Sequence, residues 1–77
     1  MDNKMVDVTL HIDEEIDIAM RETLRENLLH LRGVMAADSH KARPHLMIIE
    51  YDPDVIEAIK FLDLVKQRGL HAELIGL

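Results

Sequence analysis

Val6-Asp7-Val8-Thr9-Leu10-His11-Ile12-Asp13-Glu14-Glu15-Ile16 passes from one periodicity to another. Through Ile12, the apolar residues Val6, Val8, Leu10 and Ile12 alternate with Asp7, Thr9, His11 and Asp13, the period of two that sends one strand face to a core and the other to water. Beyond it, Ile16, Met20, Leu24, Leu28 and Leu31 recur at spacings of four and three, the stripe of an amphipathic helix. Asp13 is the expected N-cap, with Glu14 and Glu15 in a first turn that favours carboxylates. Gly33 is the expected left-handed stop. A strand feeding such a helix predicts that the helix lies across the strand's apolar face.

The same half then recurs. Residues 34 to 41 form a small-residue strand, Lys41 to Pro44 a turn, and His45 to Tyr51 a β-rich run. Pro44 is tolerated near a strand start, where its missing donor is not needed. Asp52-Pro53 pairs a capping residue with a first-turn proline, so the second helix is expected to open there. Val55, Ile59, Leu62 and Val65 follow at helical spacing until Gly69, and Leu70 to Leu77 supply a last strand. The order strand-helix-strand, twice, predicts an α+β ferredoxin-like βαββαβ sandwich, with two helices on one face of a four-stranded antiparallel sheet of order 4-1-3-2. A chain of 77 residues has room for one such domain, spanning residues 1–77.

Leu10 and Ile12, the helix stripe, Leu31-Arg32-Gly33-Val34, Tyr51-Asp52-Pro53-Asp54 and Lys66-Gln67-Arg68-Gly69-Leu70-His71-Ala72-Glu73-Leu74 together resemble the heavy-metal-associated domain of the copper-chaperone-like family. The resemblance covers nearly the whole chain and implies its fold. It also implies a first loop carrying Met-x-Cys-x-x-Cys, a soft cation such as Cu(I), and transfer to metal-pumping ATPases. Here those motif positions fall on Glu15, Asp17 and Met20, and the chain has no cysteine at all. Thiolate sites, disulfides and iron–sulfur clusters are therefore excluded.

The expected topology brings the end of the first strand, the end of the second, and the starts of the third and fourth to one edge. His11, His40, His45 and His71 converge there, beside Asp13. Alternation points His11 and His71 to the open sheet face, where they are expected to be near neighbours. Imidazole and carboxylate oxygen suit Zn(II), Cu(II), Ni(II) or Co(II), so His11, His71, His45, His40 and Asp13 form a candidate site for a divalent transition metal. The bland alternative is a set of solvated histidines near strand ends. His30, at the far end of the first helix, reads as a complement to its negative terminus. Met20 reads as core filler and Asp17 as a surface residue. Lys41 and Arg43 make a short basic turn.

Opposite Met47, Ile49 and Tyr51, the residues Leu46, Ile48, Ile75 and Leu77 are expected to point outward from the bare sheet, with Phe61 and Leu64 off the second helix's stripe. A contiguous apolar patch of this kind predicts a partner protein or a homodimer. The function expected is therefore a small metal-binding or metal-sensing protein with a histidine site in place of the family's cysteines. The alternative is a metal-independent interaction or dimerisation module.

Other classes fit less well. Net charge is −6, with one Tyr and one Phe, which disfavours nucleic acid because phosphates need clustered cations and bases need aromatic platforms. Ser39 is the only serine and lies in no nucleophile elbow, and Gly33, Gly69 and Gly76 are scattered, so neither catalysis nor a phosphate loop is expected. Residues 1–4 lead directly into the alternating strand without a long apolar stretch, so no signal peptide or membrane span is expected and the cytoplasm is the default location.

Overall fold

The alternation from Val6 to Ile12 becomes the central strand of the sheet. In the computed structural model, which describes residues 4–40 and 42–76, the elements run β1 (Val6–Ile12), α1 (Ile18–Leu29), β2 (Val34–His40), β3 (Arg43–Tyr51), α2 (Ile59–Gln67) and β4 (Ala72–Ile75). The sheet order is β2-β3-β1-β4 with every neighbour antiparallel, the expected order read from its other edge. Val8, Leu10 and Ile12 are buried beneath the helices, with Met47, Ile49 and Tyr51 from β3 beside them. Leu24 and Leu28 from α1 complete the layer, and Ile16, Met20 and Leu31 pack against it as their spacing predicts. Gly33 stands at φ 97°, the left-handed conformation expected after the first helix. Between Val34 and Ala36 the β2–β3 register shifts, and Met35 at that irregularity is exposed.

Both helices begin later than their capping residues suggest. Asp13 does not cap α1: its N–H donates to the His71 carbonyl at 2.8 Å, continuing the β1–β4 ladder one step beyond Ile12. A residue held in a ladder cannot open a helix, so the chain stays irregular until Asp17. There φ −80° and ψ 175° give the extended geometry of an N-cap, and the Asp17 carboxylate accepts from Met20 N–H at 2.8 Å.

Asp52-Pro53 likewise forms an isolated turn and not the second helix. Val55 and Ile56 N–H both donate to the Asp52 carbonyl, at 3.0 and 3.1 Å, and Asp54 N–H donates to the Asp52 carboxylate at 2.9 Å. That turn is pinned to the end of the first half by Asp52 N–H on the Gly33 carbonyl at 2.8 Å. The approach is close enough that a Cβ on Gly33 would lie 2.8 Å from Val55 Cγ1. α2 therefore starts at Ile59, and the delay rotates its buried face.

Phe61 and Val65 enter the core, and Leu62 and Leu64 pack against it, whereas Val55 and Ile59 are 49% and 51% exposed. The expectation that Phe61 lies off the buried stripe, at an interface or a helix–helix margin, is thus overturned. Its ring meets Tyr51 edge-on, with centroids 5.0 Å apart at 86°, an arrangement that adds to the burial of both rings. The last strand, expected from residue 70, begins at Ala72, and Leu77 lies outside the described residues.

Phe61→Ala is expected to cost about 3–5 kcal/mol, the usual loss for an emptied aromatic core site. Ile59→Ala should stay within about 0.5 kcal/mol, as at other exposed positions. Urea denaturation of the two variants checks which face of α2 is buried.

Candidate metal centre

The end of β1, the loop of residues 13–17, the start of β3 and the residues before β4 meet at one rim, because β1 pairs antiparallel with both β3 and β4. His11 faces Leu46 on one side and Glu73 on the other. Four of the sequence-derived residues, His11, Asp13, His45 and His71, lie in this rim. The fifth, His40, ends β2 opposite Arg43; its side chain and Lys41 lie outside the described residues.

His11 Nδ1 stands 3.6 Å from Asp13 Oδ1, both side chains about half exposed. The ring that His11 meets is that of His45, with centroids 6.3 Å apart and planes at 35°. Both rings line a shallow open groove of about 480 Å³ on the sheet, floored by Leu46 and Ile75 and edged by Arg43. His11 and His71, expected to be near neighbours, are not directly opposite: Glu73 is opposite His11, and His71 pairs with Asp13 one step past the strand.

Glu14 engages His71 instead. Glu14 Oε1 accepts from His71 N–H at 2.8 Å and Oε2 faces His71 Nδ1 at 2.6 Å, while the Glu14 carbonyl lies 2.9 Å from His45 Nδ1. A carbonyl oxygen only accepts, so His45 Nδ1 carries its proton. These two donors from His71, side chain first and main chain second, hold the Glu14 carboxyl below the usual carboxylate value. Ionised Glu14 therefore accepts from His71 Nδ1–H as well. The sequence signals had placed Glu14 in a helix turn. The signal that could have found it is the ladder itself: extending Ile12 opposite Ala72 by one step sets His71 beside the loop in which Glu14 follows Asp13.

Two positions to which the family resemblance assigns cysteine carry structural residues. Asp17 is the N-cap of α1, and Met20 packs on the core. His30 donates from Nδ1 to the Glu26 carbonyl at 2.7 Å at the end of α1, the complement to the helix terminus that its position suggested. Among the described residues, no group of three or more His, Asp or Glu side chains already surrounds a point where a metal ion would sit. The rim thus holds imidazoles whose Nδ1 atoms face the Asp13 carboxylate, the Glu14 carbonyl and the Glu14 carboxylate, and not a closed cage.

The backbone is shared with solved structures of low sequence identity. The chain aligns with oxidized MerP from Ralstonia metallidurans at TM-score 0.82 and 15% identity, covering 95% of this chain and 100% of that one. With the yeast copper transporter domain Ccc2a, solved in apo and Cu(I)-loaded states, the TM-score is 0.79 at 20% identity over 91% of this chain and 94% of that one. The N-terminal soluble domains of Bacillus subtilis CopA give TM-score 0.79 at 17% identity, over 92% of this chain and 48% of that one. No family model and no curated protein matches the chain by sequence. The resemblance to the heavy-metal-associated domain therefore holds in the fold. Among the described residues, no helix is long and apolar enough to cross a membrane.

Because the Glu14 carboxyl titrates lower in the folded chain than in the unfolded one, its stabilisation is complete above the ordinary carboxylate range and fades as pH falls through its folded value. The stability advantage of the native chain over Glu14→Gln is expected to shrink as pH falls below about 5, the ordinary glutamate value being about 4.3. Urea unfolding of both proteins across that range checks the sign.

Proposed function

We propose that this domain binds a divalent transition metal, Zn(II), Cu(II), Ni(II) or Co(II), at the first-loop rim through imidazole nitrogens in place of thiolates. The observation that carries the reading is the His11–His45 pair. Two imidazoles on one ion, each with a metal–nitrogen distance of about 2.0–2.1 Å, hold their ring centres about 5–6 Å apart. These rings stand at 6.3 Å, with His45 part-buried and held through Nδ1 and His11 about half exposed, so a modest rotation of His11 brings both onto an ion. Asp13 beside His11 supplies a carboxylate oxygen and His71 a further nitrogen from the same rim; His40, whose side chain lies outside the described residues, is a further ligand proposed from the sequence alone. The similar folds named above support the reading, because the yeast domain is known with Cu(I) bound. The absence of cysteine turns the ligand set from sulfur to nitrogen and oxygen and so favours borderline divalent ions over soft ones. A net charge of −6 raises the local concentration of cations. The role is binding, sensing or delivery of the metal and not catalysis.

A second reading, a docking module on the open sheet, is favoured by Ile48 and Ile75. They are 43% and 48% exposed and flank Thr9 on either side in one row across the sheet. Asp7, Asp38, Glu50 and Glu73 surround that row, all exposed. A second copy would set carboxylates against carboxylates, so the partner that fits is a protein with a basic rim around an apolar centre.

Calorimetric titration of the protein with Zn(II), Cu(II), Ni(II) and Co(II) is expected to give saturable, stoichiometric binding with at least one ion. It should weaken as pH falls through the histidine range, since protons compete for the ligand nitrogens. His11→Ala and His45→Ala should each weaken it more than about tenfold, and His30→Ala should leave it unchanged. Flat heats with all four ions would leave the docking reading. That reading predicts a monomeric mass by light scattering at low ionic strength. A dimer abolished by Ile48→Lys would instead make a second copy the partner.

A further inference from the structure

Glu14 is the residue through which the loop, β3 and β4 all communicate. It contributes three oxygens to hydrogen bonds. Its two carboxylate oxygens take His71 N–H and His71 Nδ1, at 2.8 and 2.6 Å, and its carbonyl takes His45 Nδ1 at 2.9 Å. Its side chain is 35% exposed against 71% for His71, so the carboxylate forms the inner half of the pair and the imidazole the outer half. A neutral imidazole has one protonated nitrogen and one lone pair, and whichever nitrogen donates a hydrogen bond leaves the other free. In ordinary metal sites, the ligating imidazole donates its second nitrogen to a carboxylate or a backbone carbonyl, which fixes the ring and raises its basicity.

We infer that Glu14 is a positioning residue that leaves the Nε2 atoms of His45 and His71 free, as two of the nitrogen donors for a divalent ion. It uses its carbonyl for one ring and its carboxylate for the other. This rests on the metal reading for its purpose, though not for its geometry. The two rings are held by chemically different groups of one residue, so they respond differently to its replacement. Removing the carboxylate releases His71 alone; the carbonyl remains, and with it the tautomer of His45. The carboxylate also ties the loop of residues 13–17 to the start of β4, next to the Asp13 N–H to His71 carbonyl bond of 2.8 Å. An ion held by His71 would therefore be held against the loop as well as against the sheet.

Long-range ¹⁵N–¹H spectra of the imidazoles, recorded at a pH about two units above the ordinary histidine value, read the tautomers directly and without metal. In the native chain, His45 and His71 are expected to show Nδ1–H with unprotonated Nε2, against the Nε2–H form that free side chains favour. In Glu14→Ala, His71 should revert to the free pattern while His45 keeps its own. Glu14→Gln, which retains an acceptor oxygen, should hold His71 near the native pattern even if Glu14→Ala loosens the loop. A free pattern for His71 in the native chain, or an unchanged His71 signal in Glu14→Ala, would overturn the assignment. With Zn(II) alone as the probe, Glu14→Ala should lose about 10–100-fold in affinity, the usual cost of removing such a partner. Zn(II) uptake missing from the native chain would end the metal reading, while the spectra would still decide the role of Glu14.

Discussion

The two-sided pairing of β1 governs everything else in this small domain. Its residues are hydrogen-bonded to β3 on one side and β4 on the other, and its inward residues Val8, Leu10 and Ile12 lie at the centre of the core. A slip of one residue against either neighbour would turn that set to water and bring His11, Thr9 and Asp7 into the apolar layer. The register is therefore fixed by burial. With it, the positions of Leu46, Glu73 and His71 relative to the end of β1 are fixed as well. The rim needs no design of its own to be assembled, because it is where three well-determined strands stop.

What the rim adds is a way of ordering the loop. An irregular segment between a strand and a helix carries backbone groups without ladder partners. Here Asp13 N–H goes to β4, the Glu14 carbonyl goes to a β3 histidine, and the Glu14 carboxylate returns to His71. The loop is thereby stitched to both neighbours of β1, and Asp17 at its far end starts α1 from a defined place. Histidine is suited to this role, since one ring offers a donor on the side facing the loop and keeps a second nitrogen for solvent or a ligand. The second half of the chain solves the corresponding problem differently. Asp52, Gly33 and Val55 form a steric and hydrogen-bonded corner with no titratable ring in it.

How much of this was legible follows from the range over which each signal acts. The strand faces, the α1 stripe and the order of elements rest on periodicity within a segment, and β1, β3 and α1 carry their buried residues as that periodicity demands. The helix starts rest on a competition that a local motif does not contain. Asp13 has the chemistry of a cap, but β4, some sixty residues on, takes its N–H first. Asp52-Pro53 has the chemistry of a helix opening, but a three-residue turn against Gly33 uses it, and the delay exposes Val55 and buries Phe61. Convergence of His11, His45, His71 and Asp13 followed from topology. The direct partner of each did not, because the β1–β4 register sets Glu73 opposite His11 and brings His71 to Glu14.

The same constraints explain why a nitrogen site would form at the strand ends and not in the loop. The loop positions to which the family resemblance assigns sulfur are occupied by a residue that caps α1 and by one that packs on the core, so neither Asp17 nor Met20 is at liberty to ligate without loosening the first helix. Imidazoles on strand ends carry no such duty. They project from a backbone held on both sides, reach further than a cysteine, and can be steered by a hydrogen bond to Nδ1 without surrendering Nε2. On the proposed reading, nitrogen and oxygen donors at the strand ends would stand on an edge fixed by strand pairing, and would favour borderline divalent ions while leaving the core beneath untouched.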